Sequence, residues 1–163
     1  MATEFPDETS VRVTRTIDAS LDRVWQAFVD PSDMAAWMWA GWGSDTTAAA
    51  DLRIGGRYEV YTTSPRPDPN WSSDRWGFYG YYTAIDAPSR LSYTLHWDGP
   101  VGYNQTGEPV ADEAVIINLQ TADGGTRMDM WHIGIPAVAG AAAEHGRGIE
   151  AEFDALERLV AGS

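Results

Sequence analysis

With 163 residues the chain has the length of one domain, 1–163, large enough to bury a substantial core. Its 24 acidic residues outweigh 11 basic ones, all of them Arg, for a net charge of −13; an acidic chain without a basic stripe argues against nucleic acid and against anionic membrane surfaces. Cys is absent, which excludes disulfides, thiolate metal sites and a Cys nucleophile, while eight Trp, seven Tyr and four Phe supply flat surface that can fill a core or line a cavity for an organic ligand.

The opening MATEFPDETS is acidic and has no apolar h-region, so no signal peptide is read there, and residues 1–9 are expected to be loose. No apolar run approaches membrane-spanning length, and the expected location is the cytoplasm. Val11 to Ile17 alternates as a strand, with Val11, Val13 and Ile17 set against Arg12 and Arg15. Ser20 then offers an N-cap to LDRVWQAFV, where Leu21, Val24, Trp25, Phe28 and Val29 recur at helical spacing. Asp30-Pro31 stops that helix and can start another, with Asp30 as cap and Pro31 at the first helical position.

Trp37, Trp39 and Trp42 follow within six residues, and no single period places all three in one core; some of them should face a cavity or its mouth. Asp51 to Ile54 is read as a short strand broken at Gly55-Gly56, a bulge or tight corner, and RYEVYTT as the next strand. Residues 64–74 carry three Pro and form a loop. RWGFYGYYTAI (75–85) is a long strand with aromatics on both faces, and LSYTLHW (91–97) alternates Leu91, Tyr93, Leu95 and Trp97 against polar residues. A loop over 98–112 leads to AVIINLQ (114–120), a turn at Asp123 to Gly125 and a last strand TRMDMWHI. Ala141 to Val160 is the one long helical segment: Ile149, Phe153, Leu156 and Val160 form its apolar stripe, and Glu150, Glu152, Asp154, Glu157 and Arg158 fall on the rest of the barrel. Runs of strands joined by hairpins with helices at the ends predict an α+β antiparallel architecture in which a curved sheet wraps that helix.

This order, together with IDASLDRVWQAFVDP (17–31), DLRIGGRYEV (51–60), GYYTAIDAPSRLSYTLHW (80–97), GGTRMDMWHIG (124–134) and HGRGIEAEFDALERL (145–159), resembles the SRPBCC (START-like, helix-grip) superfamily, and within it the AHSA1-like group related to the activator of Hsp90 ATPase. The resemblance implies a helix-grip fold, with about seven strands gripping the C-terminal helix, two short helices after the first strand and a cavity opening near them. Proteins of this fold include lipid and polyketide carriers, aromatase/cyclases, antibiotic-sequestering proteins and Hsp90 co-chaperones, so the fold does not fix the function. Where the family often has Gly-Trp in the last helix, this chain has Gly148-Ile149, which shifts weight to the Trp cluster at 37–42.

The three histidines, His96, His132 and His145, lack the spacing of a metalloprotease helix, so neither a metal nor a cofactor is expected, and no Ser-His-Asp arrangement suggests itself. His132 alternates with Met128 and Met130, hence inward; it is either a hydrogen-bonded core residue or a donor or acid to a ligand carbonyl. The candidate ligand contacts are Trp37, Trp39, Trp42, Tyr58, Trp76, Tyr81, Trp97, His132 and Phe153. The leading expectation is a binding protein for a hydrophobic, aromatic or polycyclic small molecule, as monomer or homodimer. An aromatase/cyclase or hydrolase with His132 and a pocket Tyr as acid and base is the second, and docking on Hsp90 the third.

Overall fold

Asp30 serves two helices at once. In the computed structural model, which describes residues 2–100 and 112–163, its backbone N–H donates to the Gln26 carbonyl, closing α1 (Leu21–Val29), and its side chain accepts from Ser32 N–H, opening α2 (Pro31–Trp37). Ser20 caps α1 by accepting from Arg23 N–H, a bond that typically contributes about 1 kcal/mol.

Among the described residues eight strands make one antiparallel sheet: β1 (Ala2–Glu4), β2 (Val11–Ile17), β3 (Ser44–Ala50), β4 (Arg57–Thr63), β5 (Arg75–Asp86), β6 (Arg90–Asp98), β7 (Glu113–Ala122) and β8 (Gly125–Ile133), in spatial order β1-β2-β8-β7-β6-β5-β4-β3. The helix-grip α+β fold is the one expected, with one strand more. Residues 2–4 are not loose but pair with Arg12 to Thr14. The strand placed at 51–54 lies instead at 44–50, where an exposed Thr- and Ala-rich edge gives little hydrophobic alternation to read. Asp51 to Gly56 forms a corner, closed by Gly56 N–H to the Arg53 carbonyl; a Cβ on Gly56 would sit 2.0 Å from the Asp51 carbonyl, so only glycine fits. Of the loop expected over 98–112, residues 101–111 lie outside the described residues.

The long helix α3 (Ala141–Val160) packs its stripe into the sheet, with Leu156 and Val160 fully buried. Phe28 of α1, Trp37 of α2 and Phe153 of α3 meet with ring centroids 5.3–6.4 Å apart. Arg15 is a correction: it shares the inward parity of Val11, Val13 and Ile17, is buried, and pairs with Asp154 (2.8 Å) and Glu157 (3.5 Å) on α3. The outward neighbour Arg12 holds Asp129 through two hydrogen bonds and lies over the Trp131 ring. Among the described residues no helix is long and apolar enough to cross a membrane.

Candidate functional site

The packing of α3 is uneven along its length. Its second half carries Phe153, Leu156, Leu159 and Val160, whereas its first half is built from Ala and Gly around His145 and Ile149. Large side chains close the gap to the sheet at one end, and small ones leave it open at the other. The result is a cavity of about 720 Å³ between sheet and helix, covered by the segment that follows α2. Of the nine expected contacts, Trp37, Trp39, Trp42, Trp76, Trp97, His132 and Phe153 line it.

The other two do not. Tyr58 is buried in the aromatic core beside Tyr93, with its hydroxyl donating to the Thr94 carbonyl at 2.7 Å. Tyr81 alternates to the outer face and is 43% exposed. Counting aromatics on β5 without their parity put Tyr81 among inward residues.

The covering segment is held rather than free. Trp39 adopts φ 64°, a left-handed conformation that costs a non-glycine residue on the order of 1 kcal/mol. Its backbone N–H donates to Glu152 Oε1 at 2.9 Å, and its ring stacks on Phe78 at 5.5 Å and meets Trp97 edge-on. Trp42 lies between Trp39 and Trp76, 5.1 Å from each ring. Gly43 is required by close packing, since a Cβ there would lie 2.1 Å from Thr62 Oγ1. The indole N–H groups of Trp39 and Trp76 are buried and have no hydrogen-bond partner among the described residues. A buried donor left unpaired costs about 1–3 kcal/mol, and both residues belong to the cavity lining.

A polar cluster reaches another part of the wall through Trp97, His132 and His145, with Glu113 behind them. Glu113, the first residue of β7, is 1% exposed and shares the inward parity of Val115, Ile117 and Leu119. Its Oε1 lies 3.0 Å from His132 Nε2 and 2.7 Å from His145 Nε2, while Trp97 Nε1–H donates to its Oε2. Burial works against the Glu113 charge, but the two imidazoles outweigh it and hold the carboxyl down at about 2. Burial also pushes His132 below its ordinary value, with Glu113 opposing. His132 is thus both things the sequence offered, a hydrogen-bonded buried residue and part of the cavity lining.

Glu152 is the second titrating group on the wall. Burial raises its carboxyl to about 7, and the bond from Trp39 N–H opposes the rise only in part. It was assigned to the solvent side of α3, yet His145, Ile149 and Glu152 stand at i, i+4 and i+7 and share the face turned to the cavity. Sequence spacing sets His145 aside as a metal ligand and Glu152 off the apolar stripe, and Glu113 falls between the expected loop and strand; parity on β7 and helical spacing on α3 are the signals that place all three inward. Arg147 and Glu144 of α3, with Arg66 and Asp68 of the loop after β4, put charges of both signs at the mouth.

The family model described as "Activator of Hsp90 ATPase homolog 1-like protein" matches residues 18–161. No curated protein matches the chain. Among solved structures, a Chromobacterium violaceum protein aligns at TM-score 0.74 and 23% identity, covering 96% of this chain and 100% of that one. A Rhodobacter sphaeroides protein aligns at 0.76 and 20%, covering 97% and 95%. CalU16 from Micromonospora echinospora aligns at 0.62 and 22%, covering 94% and 76%. At these identities the structures speak to the fold alone.

Proposed function

The chain belongs to the activator of Hsp90 ATPase homolog 1-like family, and from that premise we propose that it binds a flat, hydrophobic small molecule, aromatic or polycyclic, in the cavity between sheet and α3. The observation that carries the reading is the ring-lined part of the wall, Trp37, Trp39, Trp42, Trp76, Phe78 and Trp97, in which the indole N–H groups of Trp39 and Trp76 have no partner among the described residues. Apolar faces suit a planar skeleton, and the two donors suit carbonyl or hydroxyl oxygens at its edge. Trp42, between those two indoles, is the stacking platform.

Ligand binding is expected to quench Trp emission, and native mass spectrometry of the purified protein is expected to show a retained small molecule. Loss of one stacked ring removes about 0.5–1.5 kcal/mol beyond buried area, so Trp42→Ala weakens binding by roughly two- to tenfold or more while the melting temperature changes little. Trp37→Ala is the contrast: its indole donates to the Ala27 carbonyl and packs on Phe28 and Phe153, so its loss melts the protein. If Trp42→Ala lowers stability and leaves affinity intact, Trp42 only plugs the core and the reading fails.

An acid–base enzyme is the second reading, favoured by Glu152, whose carboxyl at about 7 lines the same cavity as the Glu113–His145 contact. Turnover of a bound ligand with a pH–rate limb near 7, abolished in Glu152→Gln, would establish it. The co-chaperone reading rests on the family description, and recovery of Hsp90 in a pull-down tests it. Exposed Leu52, Ile54 and Tyr81 are the apolar residues a homodimer would cover, and light scattering tests that.

A further inference from the structure

Glu113, His132 and His145 come from β7, β8 and α3, yet their ligating atoms lie within 4.8 Å of one another. Both imidazole Nε2 atoms approach the same carboxylate oxygen, Oε1. The proton placement on His145 follows from its other nitrogen. Nδ1 lies 2.9 Å from the Ala141 carbonyl, which can only accept, so Nδ1 carries a proton. In the neutral ring, Nε2 then presents its lone pair to a carboxylate oxygen 2.7 Å away. Two lone pairs at that distance repel, and the contact requires a positive centre between or beside them: a second proton on the ring, or a cation.

The surroundings favour the cation. A main-chain carbonyl fixes the tautomer of His145 with Nε2 directed at the cluster, and the Trp97 indole donates to Glu113 Oε2, fixing the carboxylate with Oε1 directed there. Hydrogen bonds that orient imidazole and carboxylate in this way are the outer shell of metal centres. Two imidazoles and one carboxylate form a known donor set for zinc that keeps a position open. Donor atoms around a tetrahedral ion with bonds of about 2.1 Å stand roughly 3.4 Å apart. The present separations of 3.0 and 2.7 Å need to widen by about 0.4 and 0.7 Å to reach that spacing. His132 and His145 both line the cavity, so the remaining position faces it.

We propose that Glu113, His132 and His145 bind a divalent transition-metal ion of the zinc type, with an open coordination position directed into the cavity. The site does not depend on which organic molecule the cavity takes.

The test uses the metal alone. Chelator-treated protein is titrated with Zn2+ by calorimetry and, in parallel, with Co2+ by visible absorption. One Zn2+ per chain and the intense d–d bands of four-coordinate Co2+ are expected. His145→Gln and Glu113→Gln are expected to weaken Zn2+ binding about a hundredfold or more, beyond the loss typical of outer-shell changes. His96→Gln, which removes the exposed His96–Asp112 pair, is expected to leave binding unchanged. Absence of Zn2+ binding at micromolar concentration, binding unaffected by His145→Gln, or binding lost in His96→Gln overturns the proposal. If the cluster variants fail to fold, the Co2+ spectrum of the unaltered protein decides: without four-coordinate bands the positive centre is a proton and the site is an ion pair.

Discussion

Glu152→Gln isolates one carboxyl. The amide keeps the size of the side chain and an oxygen to accept from Trp39 N–H at the position of Oε1, but it cannot ionise. Burial raises the Glu152 carboxyl from 4.5 to about 7. A raised acid binds its proton more tightly in the folded chain than in the unfolded one. It therefore favours folding fully below 4.5, and the advantage is lost as pH rises through 7. The difference of about 2.5 in pKa corresponds to roughly 3 kcal/mol, reached when the folded carboxyl is fully ionised. Some of this is already lost at pH 5, so about 2–3 kcal/mol remains to disappear between pH 5 and pH 8.5. Glu152→Gln does not titrate, so its stability relative to the parent is expected to increase by that amount across the interval. Denaturant unfolding of both proteins at several pH values measures it directly. In a chain of this size the corresponding gain in melting temperature at alkaline pH is roughly 4–10 °C. A difference between the two proteins that stays constant from pH 5 to pH 8.5 would refute the assignment of Glu152 as a half-buried carboxyl titrating near neutrality.

Gly148→Ala is expected to stabilise by about 1 kcal/mol, the helix-propensity difference, because a Cβ there meets nothing within 4 Å. Gly146→Ala, where the Cβ would lie 2.9 Å from Phe5, is expected to gain nothing, and thermal melts compare the two. Arg15→Met is expected to change stability by no more than about 1 kcal/mol, because its partners Asp154 and Glu157 keep 55% and 39% side-chain exposure and stay hydrated without it, while the unpartnered buried Nε is removed. Arg15→Ala leaves a hole beside Phe153 and is expected to cost about 2–4 kcal/mol in chemical denaturation.

The fold was legible because its strongest signals are local. Alternation marks β2 and β6, the Asp30-Pro31 step marks the junction of two helices, and Asp123-Gly124 marks a hairpin. What was not legible depends on partners far along the chain. β1 is three residues long and exists because β2 offers it an edge. Arg15 reads as a surface residue until α3 brings Asp154 and Glu157 over it. Tyr58 belongs with these, facing inward but spending its hydroxyl on Thr94 of β6, whereas the outward direction of Tyr81 is set by parity within β5.

The three residues of the polar cluster follow one rule that can be read in the sequence. Glu113 begins an inward file continued by Val115, Ile117 and Leu119, and His132 ends one that runs through Met128 and Met130. His145 opens the stripe that Ile149, Phe153, Leu156 and Val160 complete. In each case a charged or titratable group stands at the end of an apolar file, where the strand or helix leaves the packed core. Those three ends coincide in space because β7 and β8 are paired in register, Val115 opposite His132, and because the first half of α3 lies over them. A buried polar group in mid-file is desolvated unless another element brings partners over it, as α3 brings Asp154 and Glu157 over Arg15. At the ends the groups meet one another, and the cavity left by the small residues of α3 gives them access to whatever enters. The same gradient of side-chain volume that opens the cavity thus decides which end of it carries chemistry.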